Sequence, residues 1–90
     1  MRRIIIDLSG VDSKKAFHER VREAMLVPDH YGNNLDALHD ILAEYSGKLD
    51  IIVLNIDDFM AAREEYAESF LAMLEDIKSD DVRVFVAEAM

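Results

Sequence analysis

The sequence predicts an α/β fold, a three-stranded parallel sheet packed with about four helices. Three short runs rich in β-branched and aliphatic residues, at 3–8, 49–54 and 82–86, have the composition of buried strands. Segments with helical spacing of apolar residues separate these runs, and strands joined by helical crossovers form parallel sheets with right-handed connections. The sequence leaves the strand order open between a sequential order and one with the first strand at the centre.

The first strand and the first helix are predicted from residues 3–26. Three consecutive isoleucines suit a strand that is covered on both faces. Asp12 or Ser13 can cap a helix that runs to about residue 26. His18 is expected on the polar side of this helix, as an ordinary surface residue. The apolar stripe of the helix consists of Phe17, Val21, Ala24 and Met25.

A loop and a second helix follow. Pro28 ends the first helix, because proline pushes the residue before it toward extended backbone. In the loop, Gly32 can take a positive φ that other residues resist. Asn34 is predicted to cap a helix over residues 35–45, and Gly47 to end it in a left-handed conformation. The buried face of this helix is predicted to consist of Leu35, Leu38, Leu42 and Tyr45.

The second half of the chain repeats this order of elements. Asp50 is the single polar residue inside the second predicted strand. Asp57 or Asp58 is predicted to cap a short helix that ends near residue 66, and a further helix covers about 67–79. Its inward positions are predicted to be Phe70, Met73, Leu74 and Ile77. The last strand then closes the sheet.

The composition is strongly acidic, with 19 Asp and Glu against 10 Lys and Arg and a formal net charge of −9. Nucleic acid is a polyanion that proteins bind through Lys and Arg, so this chain is expected to be repelled by it. A basic protein would instead be attracted and steered toward the chain. Solubility alone also accounts for such a charge, so net charge by itself does not identify a partner.

Other features of the composition exclude further kinds of site and location for this protein. The chain has no cysteine, which excludes disulfides and thiolate metal sites. No apolar run approaches the roughly 20 residues of a membrane span, and no membrane partner is expected. The apolar run near residue 5 is too short for the core of a signal peptide, about 7–15 residues, which favours a cytoplasmic location.

Acidic side chains concentrate on the second predicted helix and the loop before it. Asp36 and Asp40 lie one turn apart with His39, on the face opposite the leucines. Such a like-charge pair weakens an isolated helix by a few tenths of a kcal/mol. Asp29 and Asn33 extend the face, and no lysine neutralises it. This face suits a cationic pocket on a partner; the alternative is a solvated face of an acidic protein.

Residues 28–38, Pro-Asp-His-Tyr-Gly-Asn-Asn-Leu-Asp-Ala-Leu, resemble the L-P-x-x-Y-G-x-N-L-D-A-L segment of the barstar family, with Val27 in place of its leucine. Length, order of elements and acidic balance also agree. The resemblance implies a single barstar-like domain over residues 1–90. It also implies an intracellular bacterial inhibitor, a toxin-immunity protein that blocks the active site of a basic, guanyl-specific, barnase-like ribonuclease. Such an inhibitor is not an enzyme, needs no cofactor and is expected to be a monomer when free.

The resemblance implies which residues meet the partner. Asp40 is the first candidate for the side chain that enters the cationic site of the ribonuclease. Asp76, on the last helix, matches an acidic position at the edge of the family's interface, where the family prototype has glutamate. The complete predicted set is Asp29, His30, Gly32, Asn34, Asp36, His39, Asp40 and Asp76.

Two positions depart from the family prototype, since His30 stands in place of a tyrosine and His39 in place of a tryptophan. Large aromatic side chains often anchor an interface, whereas histidine is smaller and titrates near neutral pH. A barstar-fold interaction or immunity protein with a different partner therefore stays open. The two histidines also suggest the hypothesis that binding depends on pH.

Two classes of enzyme are alternatives to the inhibitor. His39 with Asp36 and Asp40 is a combination of ligand types that can hold zinc or iron, but no ligand motif such as H-E-x-x-H is present. A nucleophilic hydrolase would need a nucleophile, and the sequence has neither a cysteine nor a G-x-S-x-G elbow. Both are weaker than the inhibitor hypothesis.

Overall fold

The computed structural model describes residues 2–25, 27–29, 31–45 and 47–87. The elements in chain order are β1 (Arg2–Asp7), α1 (Lys14–Ala24), α2 (Leu35–Ala43), β2 (Leu49–Leu54), α3 (Asp57–Ala62), α4 (Glu64–Ile77) and β3 (Val82–Ala87). The strands form one parallel sheet in the order β1-β2-β3, which confirms the predicted α/β fold and settles the strand order as sequential. No helix within these described ranges is long and apolar enough to cross a membrane.

The helices cover one face of the sheet. Ile4 and Ile6 of β1 are 2 % and 0 % exposed, whereas Ile5 between them is 47 % exposed. The register places Ile5 beside Ile52 and Ile52 beside the exposed Phe85, so these three lie together on the open face. The expectation that the first strand is covered on both faces is therefore wrong. With sequential strands, right-handed crossovers place both helical connections on the same side.

Three phenylalanines, one each from α1, α3 and α4, form the centre of the core. Phe17 stacks on Phe59 with ring centroids 5.0 Å apart and meets Phe70 edge-on at 4.8 Å. All three rings are fully buried, and such aromatic pairs add roughly 0.5–1.5 kcal/mol beyond the burial of their area. The predicted inward positions that are buried are Phe17, Val21, Met25, Leu38, Leu42, Phe70, Met73 and Leu74.

The start of α1 agrees with the sequence prediction, but the start of α3 does not. The Ser13 Oγ caps α1 by accepting a backbone N–H of the first turn at 3.1 Å. Ile56 occupies the cap position of α3 with no side-chain hydrogen bond, so the expectation that Asp57 or Asp58 caps this helix is wrong. Asp58 instead accepts the N–H of Gly10 at 2.7 Å, which ties α3 to the β1–α1 connection.

The other helix ends differ from the predictions by a few residues. α2 ends at Ala43, so Tyr45 lies beyond the helix and is exposed instead of buried. α4 begins at Glu64, earlier than expected, directly after Arg63. The backbone of Arg63 is non-helical, with φ −141° and ψ 65°, and separates α3 from α4. Gly47 is left-handed as predicted, with φ 96°, but it lies three residues beyond the C-cap Glu44, so the expectation that it ends the helix is wrong.

An ion pair accommodates the single polar residue of β2. Asp50 is 5 % exposed, and the neighbouring strand places Arg83 directly beside it. The Nε and Nη2 groups of Arg83 donate to the two carboxylate oxygens, each at 2.8 Å. These hydrogen bonds hold the pKa of Asp50 below its ordinary value. The pair therefore links β2 to β3 on the open face of the sheet.

Candidate functional site

The candidate site is built on α2 and the loop before it, and Asn34 sets where the helix begins. Asn34 has extended backbone, with φ −139° and ψ 166°, and its Oδ1 accepts the N–H of Ala37 at 2.8 Å. Its carbonyl accepts the N–H of Leu38 at 3.1 Å. The predicted N-cap is confirmed. Because the first turn is fixed in this way, the directions of Asp36 and Asp40 are fixed with it.

Among the described residues of the loop, the left-handed one is Asn33, with φ 52°, and not Gly32. The expectation that Gly32 takes a positive φ is therefore wrong. A Cβ on Gly32 would lie 3.0 Å from the Asn34 Nδ2, and this amide donates to the Gly32 carbonyl at 3.3 Å. Glycine at this position thus leaves room for the capping side chain of α2. Asparagine tolerates the left-handed region better than most residues, which suits position 33.

The carboxylates of α2 are exposed and uncompensated. Within the described part of the chain, no hydrogen-bond donor or cation contacts the carboxylate of Asp36 or Asp40. The sequence has no Lys or Arg between Arg22 and Lys48. Asp29 adds a further exposed carboxylate from the loop. We call Asp29, Asp36 and Asp40 the acidic surface; its charge is available to attract a cation from outside the molecule.

Two predicted site residues that are far apart in sequence meet at the edge of α2. The Nε2 of His39 lies 3.0 Å from the Oδ2 of Asp76, which joins α2 to α4. Both side chains are accessible, and they border a groove of about 620 Å³ that Tyr45 also lines. The acidic position on α4 is therefore contiguous with the surface of α2.

His18, expected on the surface, is buried with 2 % exposure, and that expectation is wrong. Its Nδ1 lies 2.7 Å from the Tyr31 hydroxyl, and its Nε2 lies 2.7 Å from the Tyr66 hydroxyl. Burial, with a smaller contribution from Arg22, lowers the pKa of His18 to about 4. The neutral ring donates from one nitrogen and accepts at the other, so it can satisfy both tyrosines.

Sequence reasoning missed this connection between the loop and the core, although a pattern for it was present. His18 precedes Val21 by three positions and Met25 by seven, so it lies on the apolar stripe of α1. Through Tyr31 it anchors the middle of the loop to α1, and through Tyr66 it extends the contact to α4. The loop before α2 is therefore held from inside the protein.

The structure places the predicted site residues as follows. Asp29, Gly32, Asn34, Asp36 and Asp40 lie exposed on the loop and α2, His39 and Asp76 are in contact at the edge, and His30 lies outside the described residues. Among the residues described, no group of three or more His, Asp or Glu side chains could hold a metal ion.

The fold and the site define a class of protein: a small α/β protein with an acidic surface formed by a helix and the loop before it. The chain belongs to the barstar family, because the family model described as "Barstar (barnase inhibitor)" matches residues 1–87. It is also 28 % identical over 81 residues to "Putative ribonuclease inhibitor YrdF" of Bacillus subtilis (strain 168), an alignment that covers 89 % of each protein. The family consists of inhibitors, and the protein is not an enzyme.

Proposed function

We propose that this protein inhibits a basic, guanyl-specific ribonuclease by blocking its active site with α2 and the loop before it. The observation that carries the proposal is the acidic surface, whose carboxylates lie exposed and without a cation in contact among the described residues. A ribonuclease active site holds cations that bind the phosphodiester. Family membership and the name of the Bacillus subtilis relative support a ribonuclease as the partner.

The electrostatics of α2 support a binding role over a purely solvated face. Asp36 benefits from the helix macrodipole in the first turn, but Asp40 lies beyond it and repels Asp36 across one turn. This arrangement slightly destabilises the free helix. Cationic groups of a nuclease would relieve the repulsion on binding, so the two carboxylates favour the complex over the free protein.

Each predicted residue has a part in this proposal. Asp40 enters the cationic site in place of the substrate's phosphate, and Asp36 supports it one turn away. Gly32 and Asn34 present the backbone of the loop beside them. His39 and Asp76 meet the rim of the nuclease, while Asp29 and His30 extend the contact along the loop. No covalent step is involved, because occupying the pocket is enough to exclude RNA.

The proposal is tested by titration calorimetry of the protein against a purified basic guanyl-specific ribonuclease, at low and high salt. We expect one-to-one binding that weakens with salt, because the Debye length falls from about 10 Å at 0.1 M to about 3 Å at 1 M. Asp40→Ala is expected to weaken binding by at least about 2 kcal/mol, the lower end of what removing one partner of a buried charge pair costs at interfaces, barnase–barstar among them.

Asp12→Ala is the matched control, because it removes the same charge from an exposed position in the β1–α1 connection. A folded protein that releases no heat at either salt concentration would refute a guanyl-specific partner and favour a barstar-fold immunity protein for a different target. Equal losses in the two variants would mean that net charge, and not the position of Asp40, produces the binding.

The replacement of a family aromatic by His39 carries a prediction about pH. His39 contacts Asp76 at the edge of the proposed interface, and histidine is the residue type whose charge changes most readily between pH 5 and 8. We expect binding to differ between pH 5.5 and pH 8, and the His39→Gln variant to show less of this difference. Equal affinity at the two pH values would remove the hypothesis, and identical pH dependence in both proteins would assign the effect to the nuclease.

We propose in addition that the free protein is a cytoplasmic monomer that folds as one domain. A net charge of −9 favours mutual repulsion of copies. Sedimentation velocity at micromolar concentration tests this proposal, and a species of twice the mass would refute it.

A further inference from the structure

Arg22, at the end of α1, contacts the loop before α2 at three points. Its Nε and Nη2 donate to the Asn33 Oδ1 at 3.2 and 3.0 Å. Its Nη2 also donates to the Tyr31 carbonyl at 3.3 Å, and its guanidinium carbon lies 5.1 Å from the centroid of the Tyr31 ring. One planar group therefore contacts a backbone carbonyl, a side-chain amide and an aromatic ring of the same short segment.

This segment needs such support, because its backbone is unusual and much of it is exposed. Asn33 is left-handed, with φ 52°, a conformation that residues with a Cβ adopt rarely. Gly32, Asn33 and Asn34 are all exposed, so packing does little to hold them. From inside, His18 contacts the Tyr31 hydroxyl; from outside, Arg22, one turn later on α1, holds the Tyr31 carbonyl and the Asn33 side chain.

We propose that Arg22 is a positioning residue for the acidic surface. It holds residues 31–33 in one conformation, so that Asn34 caps α2 and the carboxylates of Asp36 and Asp40 face a partner before it arrives. Because these loop residues are already ordered in the free protein, no conformational entropy is lost in ordering them on binding, so the affinity rises. The effect on a nuclease rests on the proposed function, whereas the effect on the free loop does not.

The charge of Arg22 makes a test possible, because its electrostatic effect on the binding of a nuclease and its positioning effect have opposite signs. A positive charge beside a surface that binds a cationic nuclease opposes association, so removing it should strengthen binding if charge were its only property. Loss of the positioning contacts has the opposite effect. Lys15 is the matched control, since it is exposed on the same helix and its ammonium group pairs with Glu19 at 3.9 Å, with no hydrogen bond or ion pair to the loop among the described residues.

The first experiment measures amide hydrogen exchange by NMR in the free protein. The reporters are the N–H of Tyr31, which donates to the Pro28 carbonyl, and the N–H of Ala37, which donates to Asn34. Arg22→Gln is expected to speed exchange of both about five- to tenfold, because charge-assisted hydrogen bonds are lost. Arg22→Lys is expected to behave similarly, because an ammonium group cannot reproduce the planar fork.

Two further variants complete this experiment. Lys15→Gln is expected to leave both reporter amides unchanged. Asn33→Asp keeps an acceptor for Arg22 and adds a charge, and aspartate also tolerates the left-handed region, so it is expected to slow exchange. Unchanged exchange in Arg22→Gln would overturn the proposal, as would equal acceleration in Lys15→Gln.

The second experiment measures binding of the same variants to the basic guanyl-specific ribonuclease. Arg22→Gln is expected to raise Kd by about the factor by which the loop opens, up to roughly tenfold, while Lys15→Gln leaves Kd unchanged or lowers it. Faster exchange with equal Kd for the two variants would overturn the positioning role. Faster exchange with no binding by any form, wild type included, would support the role in the free loop and refute the proposed partner.

Discussion

Acidification is expected to destabilise the protein through His18. The ring is buried, and its pKa of about 4 lies below the ordinary value of 6.5. Between these values the unfolded chain binds the proton more tightly, so the stability due to neutral His18 is complete above pH 6.5 and is lost as the pH falls toward 4. At about 1.4 kcal/mol per pH unit the full loss is about 3 kcal/mol, of which about 2 kcal/mol is lost by pH 5.

The assay is urea unfolding followed by circular dichroism at pH 7 and pH 5, for the wild type and for His18→Gln. Glutamine can donate and accept hydrogen bonds but does not titrate, so the variant is expected to be less stable at pH 7 and nearly insensitive to pH in this range. Asp7 and Asp50, whose pKa values are lowered from 3.8, lose their contribution only at more acidic pH.

Equal losses of stability in the two proteins between pH 7 and 5 would refute the assignment to His18. Should His18→Gln not fold, NMR titration of the wild-type ring replaces it. In that measurement, a ring that titrates near pH 6.5 in the folded protein would refute the reasoning.

Three further predictions concern the scaffold, each measured as the change in the stability of the folded protein. Asn34→Ala is expected to lower the free energy of unfolding by about 1 kcal/mol, because α2 loses its cap; an unchanged value would show that this cap does not hold the helix start. Ile6→Ala is expected to cost about 2–5 kcal/mol. Ile5→Ala is expected to cost at most about 1 kcal/mol, because that side chain lies on the open face, and equal losses in urea unfolding would contradict one-sided packing. Asp50→Asn is expected to lower the Tm at pH 7, because Arg83 then faces a neutral amide. Since the pKa of Asp50 is lowered, the carboxylate stabilises above pH 3.8, and the difference in Tm should shrink as the pH falls below that value. A difference that stays constant down to the acid transition would rule out the ion pair as its cause.

Features with local causes could be predicted from the sequence. The strands follow from runs of β-branched residues, and the inward faces of the helices follow from the spacing of apolar residues. Asn34 caps α2 through atoms only three residues away. The acidic character of α2 needs only the helical period, because Asp36 and Asp40 lie one turn apart on its solvent side. The motif around this helix was sufficient to identify the family.

The positive φ expected at Gly32 and several helix ends were local predictions that were wrong, but the larger errors concern contacts between distant residues. His18 hydrogen-bonds to Tyr66, which lies 48 positions later in the chain. Asp58 does not cap α3, because its carboxylate accepts the N–H of Gly10, 48 positions earlier. A helical pattern tells which residues share a face, but not what that face meets. A polar side chain at the edge of an apolar stripe is therefore buried or exposed according to the element that packs over it.

The sequence by itself therefore determined the elements, the cap of α2 and the acid content of its outer face, because each depends on neighbours within one or two helical turns. Only the tertiary structure decided the strand order, the open face of the sheet and the contact of His39 with Asp76. It also decided the hydrogen bonds from α1 to the loop before α2. These features depend on how the helices pack against the sheet and against each other, and the free energy of that packing comes from burying surfaces that lie far apart along the chain.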